Sequence, residues 1–293
     1  MSKNIKGSII LLITAIIWGS SFVSQKLGVE TVEPMTFIGL RTLLGALVLF
    51  PVILFKDNFK PDFKSKDLLT GGVLCGVLLC IATVLQTFGM KYIDAGKSGF
   101  LTSLYMIFVP IVGIFIGKRL TLKTFISVLI ALLGMYLLCM KEGFSSVNIG
   151  DILVLLCAVV FALHIIVIDK FSPNVDGVKL SFVQFLVCGL ISSLGMLFIE
   201  KPEISDIIIS FWPIAYSGIM SCGVAYTLQI IGQKYAEPTI ASIIMSLESV
   251  FAALSGWLFL NEILTARELI GCIVVFIAVI YIKLPSLKIK SRP

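Results

Sequence analysis

The sequence predicts an all-α membrane protein: ten transmembrane helices, arranged as two inverted five-helix repeats around a central cavity. Three observations predict it. The composition is too apolar for a soluble core, the apolar runs have spanning length, and the chain matches itself at a fixed shift.

Of the 293 residues, 58% are hydrophobic and only 14% charged, and the mean hydropathy is +1.07. A soluble domain is about half apolar and about a quarter charged. The formal net charge of +6 does not signal nucleic-acid binding. The basic residues lie in short loops and at both ends of the chain, not along one face. Seven cysteines, none in a CxxC pair, all fall within apolar runs. Free thiols in a lipid-buried bundle fit that placement better than disulfides or a metal site.

A helix needs roughly 20 apolar residues to cross the hydrocarbon core. Ten segments qualify: 7–28, 35–55, 68–91, 96–117, 121–140, 149–169, 179–200, 211–235, 239–260 and 266–284. Pro34, Pro61, Gly96, Gly143, Pro173, Pro202 and Pro238 punctuate the breaks. The first segment, with Lys3 and Lys6 ahead of it, has the flavour of a signal peptide. It is long enough to span, lacks a small-x-small cleavage site and has a counterpart later in the chain.

Orientation follows from Lys and Arg in the loops. With the N-terminus inside, sixteen of the 23 basic residues fall on the inner side. Six (Lys26, Lys91, Lys97, Lys141, Lys201 and Arg267) fall outside, and Arg41 lies within the second span. Both termini are therefore expected in the cytoplasm and the chain in the inner membrane.

A shift of 143 residues lays Gln86-x-x-Gly89-x-Lys91-Tyr92 on Gln229-x-x-Gly232-x-Lys234-Tyr235. It also lays Ser103-Leu104 on Ser246-Leu247 and Gly7 on Gly150. Polar letters are rare here, so chance similarity between apolar segments does not account for the match. The first half is expected at 1–144 with helices 1–5 and the second at 145–293 with helices 6–10. Five is odd, so the second half enters from the opposite side. Inverted repeats of this kind place a substrate site near the midplane between them.

Two motifs carry a resemblance. Trp18-Gly19-Ser20-Ser21-Phe22-Val23 is followed by Pro34, Phe37 and Arg41. Leu247-Glu248-Ser249-Val250-Phe251 leads through Ser255-Gly256-Trp257 to Asn261-Glu262. Together with the spans and the repeat, the chain resembles the EamA family of the drug/metabolite transporter superfamily over essentially its whole length. The resemblance implies a ten-helix basket around a central cavity, alternating access, and export of amino acids or related metabolites. That family usually has proline where Ser249 stands, which puts a bend there in question. It more usually has an aromatic residue where His164 stands, which bears on the substrate.

Spacings of three and four put residues on one helix face. Thr14, Trp18, Ser21 and Gln25 form such a stripe on the first helix, and Cys157, Phe161, His164 and Ile168 its equivalent on the sixth. Thr83, Gln86 and Met90 on the third correspond to Tyr226, Gln229 and Gln233 on the eighth. Ser98, Thr102 and Tyr105 on the fourth correspond to Ala241, Met245 and Glu248 on the ninth. Polar groups in hydrocarbon are costly unless they face protein or a wet cavity. The expected substrate-cavity residues are Trp18, Ser21, Gln86, Tyr105, Phe161, His164, Tyr226, Gln229 and Glu248.

Glu248 lies about 13 Å into its span, near the midplane, by the helical rise. A carboxylate there must be paired, protonated or hydrated, so Glu248 and His164 are the expected proton-coupling groups. Arg41, about 9 Å inside the second span, is expected to snorkel outward. Glu262, Asp94, Asp151 and Asp169 stand at span ends, where solvated or capping roles fit.

The expected partners are a small polar substrate, the lipid bilayer and protons, with no nucleic acid, metal or cofactor. No GxxxxGK[ST] is present, so a gradient or facilitated diffusion must drive transport. Aromatic walls beside a carboxylate also suit a cationic or quaternary-amine substrate. An intramembrane enzyme would need paired metal ligands or a Ser–His arrangement, and the chain has one His and no HExxH. A non-transporting scaffold has no soluble domain to support it.

Overall fold

The computed structural model describes residues 3–118, 120–139, 148–259 and 263–284. Arg119, Lys141, Gly143, Asn261, Glu262 and the basic tail from Lys288 lie outside the described residues. The described residues form ten long helical rods and no strand. They are α1 Lys3–Val29, α2 Pro34–Lys56, α3 Lys66–Gly89, α4 Ala95–Phe115, α5 Leu122–Cys139, α6 Ile149–Phe171, α7 Gly177–Glu200, α8 Phe211–Gln233, α9 Pro238–Phe259 and α10 Ala266–Lys283. A six-residue helix, Ile204–Ile209, precedes α8. Among the described residues, eight rods are long and apolar enough to cross a membrane. The two others are α5, which is shorter and apolar, and α10, which carries Arg267, Glu268 and Lys283 at its ends.

Caps fix where the rods begin. Asn148 and Asp151 close a capping box on α6, and Thr265 and Glu268 close one on α10. Asp176 accepts from the Val178 and Lys179 amides at the start of α7. The start of α2 takes its anion from elsewhere. The Glu200 carboxylate, at the far end of α7, accepts from Met35 N, Thr36 N and Thr36 Oγ1 at 2.7–2.8 Å. At the opposite ends of the same two rods, Lys179 pairs with Asp57 at 2.6 Å. Asp57 and Glu200 are mates under the 143-residue shift, so α2 and α7 lie antiparallel and clasp at both ends.

The packing repeats in the same way. Helix α3 packs on α6 as α8 packs on α1, and α4 packs on α6 as α9 packs on α1. Helices α2 with α7 and α5 with α10 pair across the halves, so the two halves interleave. A Cβ added at Gly7 would lie 3.2 Å from Gly232 O and 2.7 Å from Tyr235 Cβ. One added at Gly150 would lie 2.8 Å from both Gly89 O and Tyr92 Cβ. These four contacts are one close crossing built twice.

The two family-like motifs touch. A Cβ on Gly19 would sit 2.4 Å from Phe251 Cβ and 2.8 Å from Ala252 N, so α1 and α9 meet only because residue 19 has no side chain. Outside the bundle, Phe55, Leu133, Phe198 and Trp212 stand exposed. Such an apolar coat is unfavourable in water and ordinary in lipid.

Helices α4 and α9 are each broken. The first breaks at Leu104 between Ala95–Ser103 and Tyr105–Phe115. The second breaks at Ser246–Leu247 between Pro238–Met245 and Glu248–Phe259. Leu104 and Leu247 are mates under the shift. The bend in α9 exists without the proline expected at 249. Bonds tighten there to the i→i+3 type, from Leu247 N to Ile244 O and from Ser249 N to Ser246 O. Ser246 and Ser249 hydroxyls each donate back to the carbonyl three residues earlier, at 2.8 Å. Serine side chains thus supply the backbone competition that proline would otherwise impose.

Candidate functional site

A narrow central cavity, with a volume of about 30 Å³, lies between the two halves. It is walled by Trp18, Phe22, Tyr105, Phe161, Ile165 and Tyr226 and carries Gln25, Arg41, Gln86, Thr102, Ser221, Gln229 and Glu248 as polar groups. In this conformation it has room for a water or two, well below the roughly 300–1,000 Å³ of small-molecule sites, so a substrate enters only if the helices move apart. Four pairs of mates contribute both members: Trp18 with Phe161, Phe22 with Ile165, Gln86 with Gln229, and Tyr105 with Glu248.

The local backbone explains how these groups arrive. Tyr105 and Glu248 are the first residues after the two helix breaks. Ser221 and Tyr226 come from a π-helical stretch of α8, Ser217–Tyr226, whose wider turn shifts the face that the rod presents. Tyr226 stacks edge-on against Trp18, with ring centroids 4.7 Å apart.

Of the nine residues expected to form the site, seven line this cavity: Trp18, Gln86, Tyr105, Phe161, Tyr226, Gln229 and Glu248. Ser21 and His164 do not. Ser21 is fully buried and donates to Ile17 O at 2.8 Å within its own helix. His164 is fully buried, and its Nε2 shares a 3.0 Å hydrogen bond with Gln184 Oε1 on α7. Spacing put both residues near the correct stripe, but a helix face is wider than a cavity wall, and neighbouring rods take its edges.

Arg41 is the reverse case. Instead of snorkelling outward, it is 3% exposed and lines the cavity, with its guanidinium 5.3 Å from the Phe37 ring centroid. Sequence depth alone does not tell which way a long side chain turns. The signal available was its position on the rod that must pack against α7 and α8.

Polar atoms around the cavity are largely unanswered. Gln86 Nε2 donates to Thr102 Oγ1 at 3.0 Å, and Ser103 Oγ donates to Glu248 Oε1 at 3.3 Å. Five other buried atoms of the lining have no partner in good hydrogen-bond geometry: Trp18 Nε1, Gln25 Oε1, Arg41 Nε, Gln229 Oε1 and Tyr105 Oη, which faces the Glu248 carboxylate. Buried polar atoms are normally satisfied, and an unmet one points to a missing ligand, water or ion. Three of these are donors and two are acceptors. No cluster of His, Cys, Asp and Glu fit for a metal exists among the described residues. A larger hollow, lined by Ser20, Ser24, Trp212, Tyr216 and apolar residues of α1 and α9, opens sideways from the bundle.

Comparisons with known proteins agree on one family. The model of the EamA-like transporter family matches residues 5–140 and 148–284. An uncharacterized transporter of Archaeoglobus fulgidus is 31% identical over 287 residues, 96% of this chain and 87% of the relative. The transporter YoaV of Bacillus subtilis is 24% identical over 90% of this chain and 92% of its own. The protein PagO of Salmonella typhimurium is 23% identical over 78% and 77%. A solved crystal structure, 17% identical, superposes with a TM-score of 0.78 over 96% of this chain and 97% of its own, and shows the fold alone.

Proposed function

The chain belongs to the EamA-like transporter family, and from that premise we propose that it exports amino acids or related small polar metabolites by alternating access. It is a multi-pass membrane transporter of the drug/metabolite type. In our reading it has ten spans in two inverted halves, 1–144 and 145–293, and both termini in the cytoplasm. The observation that carries the substrate reading is the set of five unanswered buried polar atoms around one cavity. Donors and acceptors stand there among aromatic walls, as a small molecule with polar ends and an apolar body requires.

Broken helices at a midplane site are how many transporters present polar groups to substrate while keeping the rest of the backbone satisfied. Here the breaks at Leu104 and Leu247 set Tyr105 and Glu248 against the cavity. Two copies of one unit in opposite orientations supply two near-equivalent packings, one open to each side. A proton on Glu248 is the coupling device in this reading. His164, bonded to Gln184 outside the lining, holds α6 to α7.

Glu248 among aromatic rings also favours a second reading, a cationic or quaternary-amine substrate. Counterflow and gradient-driven flux of labelled amino acids and amines in proteoliposomes test both. Export-type amino-acid exchange supports the first, and amine-only flux the second. Absence of flux for every compound sinks the transport reading. An unchanged pH profile in Glu248→Gln removes the coupling role, and a flattened one in His164→Gln returns it to His164.

A further inference from the structure

Resting on the transport reading, we propose that Arg41 is the anchor for a carboxylate of the substrate. With Glu248 it makes the cavity selective for zwitterions over plain amines.

The first ground is burial without an acceptor. Arg41 is 3% exposed and its Nε has no hydrogen-bond partner among the described residues. Its guanidinium lies over the face of Phe37 and near Cys188, Cys222 and Tyr226, none of which is a carboxylate. Burying a cation without a counter-charge is costly. Arginine keeps its charge, so it cannot relieve that cost by losing a proton. The remedy left to it is an anion or water from the cavity it lines.

The second ground is a broken symmetry. Under the 143-residue shift, the mate of Arg41 is Gln184, and the mate of Ser21 is His164. Gln184 is fully buried and bonded to His164, so that corner of the second half is closed by its own side chains. In the first half, Ser21 turns to its own helix and leaves Arg41 facing the cavity. Two positions break the twofold of the lining by charge: Glu248 against Tyr105, and Arg41 against the closed corner at Gln184.

The third ground is the partner charge. Glu248 lines the same cavity from α9, and no ion pair joins it to Arg41. A fixed cation and a carboxylate that share a small cavity without pairing match the two ends of a zwitterion. Trp18 Nε1 and Tyr105 Oη offer further donors, and Gln25 Oε1 and Gln229 Oε1 further acceptors. A planar guanidinium binds a carboxylate with two parallel hydrogen bonds, which an amide or alcohol cannot return. A plain amine would leave Arg41 unanswered and add a second positive charge beside it.

The test is binding of three matched probes to purified full-length protein, read as the shift in melting temperature with concentration. The probes are L-phenylalanine, L-phenylalaninamide and 3-phenylpropionate, with the leucine and alanine series run alongside. Wild type should bind the zwitterion of at least one series at least about tenfold more tightly than its amide, the scale of a hydrogen-bonded charge. Arg41→Gln, which installs the residue already tolerated at the mate position, should abolish that preference, weakening the zwitterion and strengthening the amide as the second positive charge is relieved. Arg41→Lys should keep part of it. Equal binding of acid and amide by wild type overturns the proposal, as does an unchanged preference in Arg41→Gln or no binding in any series. If Arg41→Gln does not fold, the wild-type ratio and Arg41→Lys still decide. Flux that persists without dependence on Arg41 sinks this anchor and leaves transport standing. A preserved acid preference without flux does the opposite.

Discussion

Glu248 occupies in the second half the position that Tyr105 occupies in the first, and each opens the segment that follows a helix break. Twofold symmetry brings the two side chains to one cavity, where Glu248 accepts from Ser103 and the Tyr105 hydroxyl faces its carboxylate. Equivalent backbone positions thus carry one neutral and one acidic group. Glu248→Gln should abolish gradient-driven flux and spare exchange, because it keeps the shape and removes the titratable proton. Tyr105→Phe should weaken substrate affinity by about three- to tenfold, the scale of one neutral hydrogen bond, and shift the pH profile without abolishing it, because the hydroxyl faces the Glu248 carboxylate. Counterflow and gradient-driven flux across pH 5–8 read the two apart. Full gradient-driven flux in Glu248→Gln would overturn this assignment.

Gly19→Ala should destabilise the protein by about 1–3 kcal/mol, the usual scale of overpacking. The new methyl would lie 2.4 Å from Phe251 Cβ and 2.8 Å from Ala252 N, and backbone cannot swing aside as a side-chain tip can. Gly113→Ala is the control. Its methyl would meet only Lys118 side-chain atoms at 3.7 Å or beyond. Melting curves in detergent should show a loss at position 19 and little change at 113.

Gln86→Leu and Gln229→Leu should each cut transport several-fold while leaving protein monodisperse. Gln86 loses one 3.0 Å bond to Thr102, and Gln229 Oε1 has no partner to lose. Stability should therefore fall less for Gln229→Leu than for Gln86→Leu. Aggregation of both variants with normal flux in the surviving protein would mean that the glutamines only pack.

Much of this arrangement is legible in the chain itself, for a physical reason. In lipid the backbone must be satisfied within each rod, so apolar runs of spanning length read out as helices. Gln86 and Gln229 betray the repeat because polar residues are few. Arg41 was not legible: depth along a rod is fixed by sequence, but the direction of a flexible side chain depends on which rods pack beside it. The placement of His164 just outside the lining was hidden for the same reason, since Gln184 on α7 captures it. The bend at Ser246–Leu247 was hidden because serine hydroxyls replace the proline that usually marks one.

Asp176 sets an acid limit at the end of the bundle where α2 and α7 meet. Burial alone would raise its pKa. The Lys56 ammonium and the amides of Lys179 and Val178 outweigh that and hold it below the ordinary carboxylate range. A carboxyl whose folded pKa is depressed adds stability above its unfolded value, near 4, and loses it as pH falls through the folded value. Melting temperature should fall below about pH 4, and Asp176→Asn should flatten that limb and lower stability at neutral pH. An unchanged acid limb in Asp176→Asn would assign it to other carboxylates.

Inversion of the halves has the most direct test, because it fixes which loops share a side. Residues 30 and 204 are expected outside, and 62 and 174 inside; all four are exposed. Val32, the natural first choice from sequence, is buried and would label poorly whatever its side. Single cysteines at the four sites, in a variant stripped of the seven native thiols, should divide cleanly toward an impermeant maleimide added to intact cells. Glu30→Cys and Ile204→Cys should react, and Asp62→Cys and Asn174→Cys only after the membrane is opened. The clasp of α2 and α7 makes the outcome rigid. Glu200 holds the start of α2 at one end, and Asp57 holds Lys179 at the other, so positions 30 and 204 must share a side. Labelling of 30 and 62 from the same side would break that clasp and the inverted arrangement with it. Labelling of 62 and 174 alone would keep the arrangement and place both termini outside, reversing the orientation read from the basic loops.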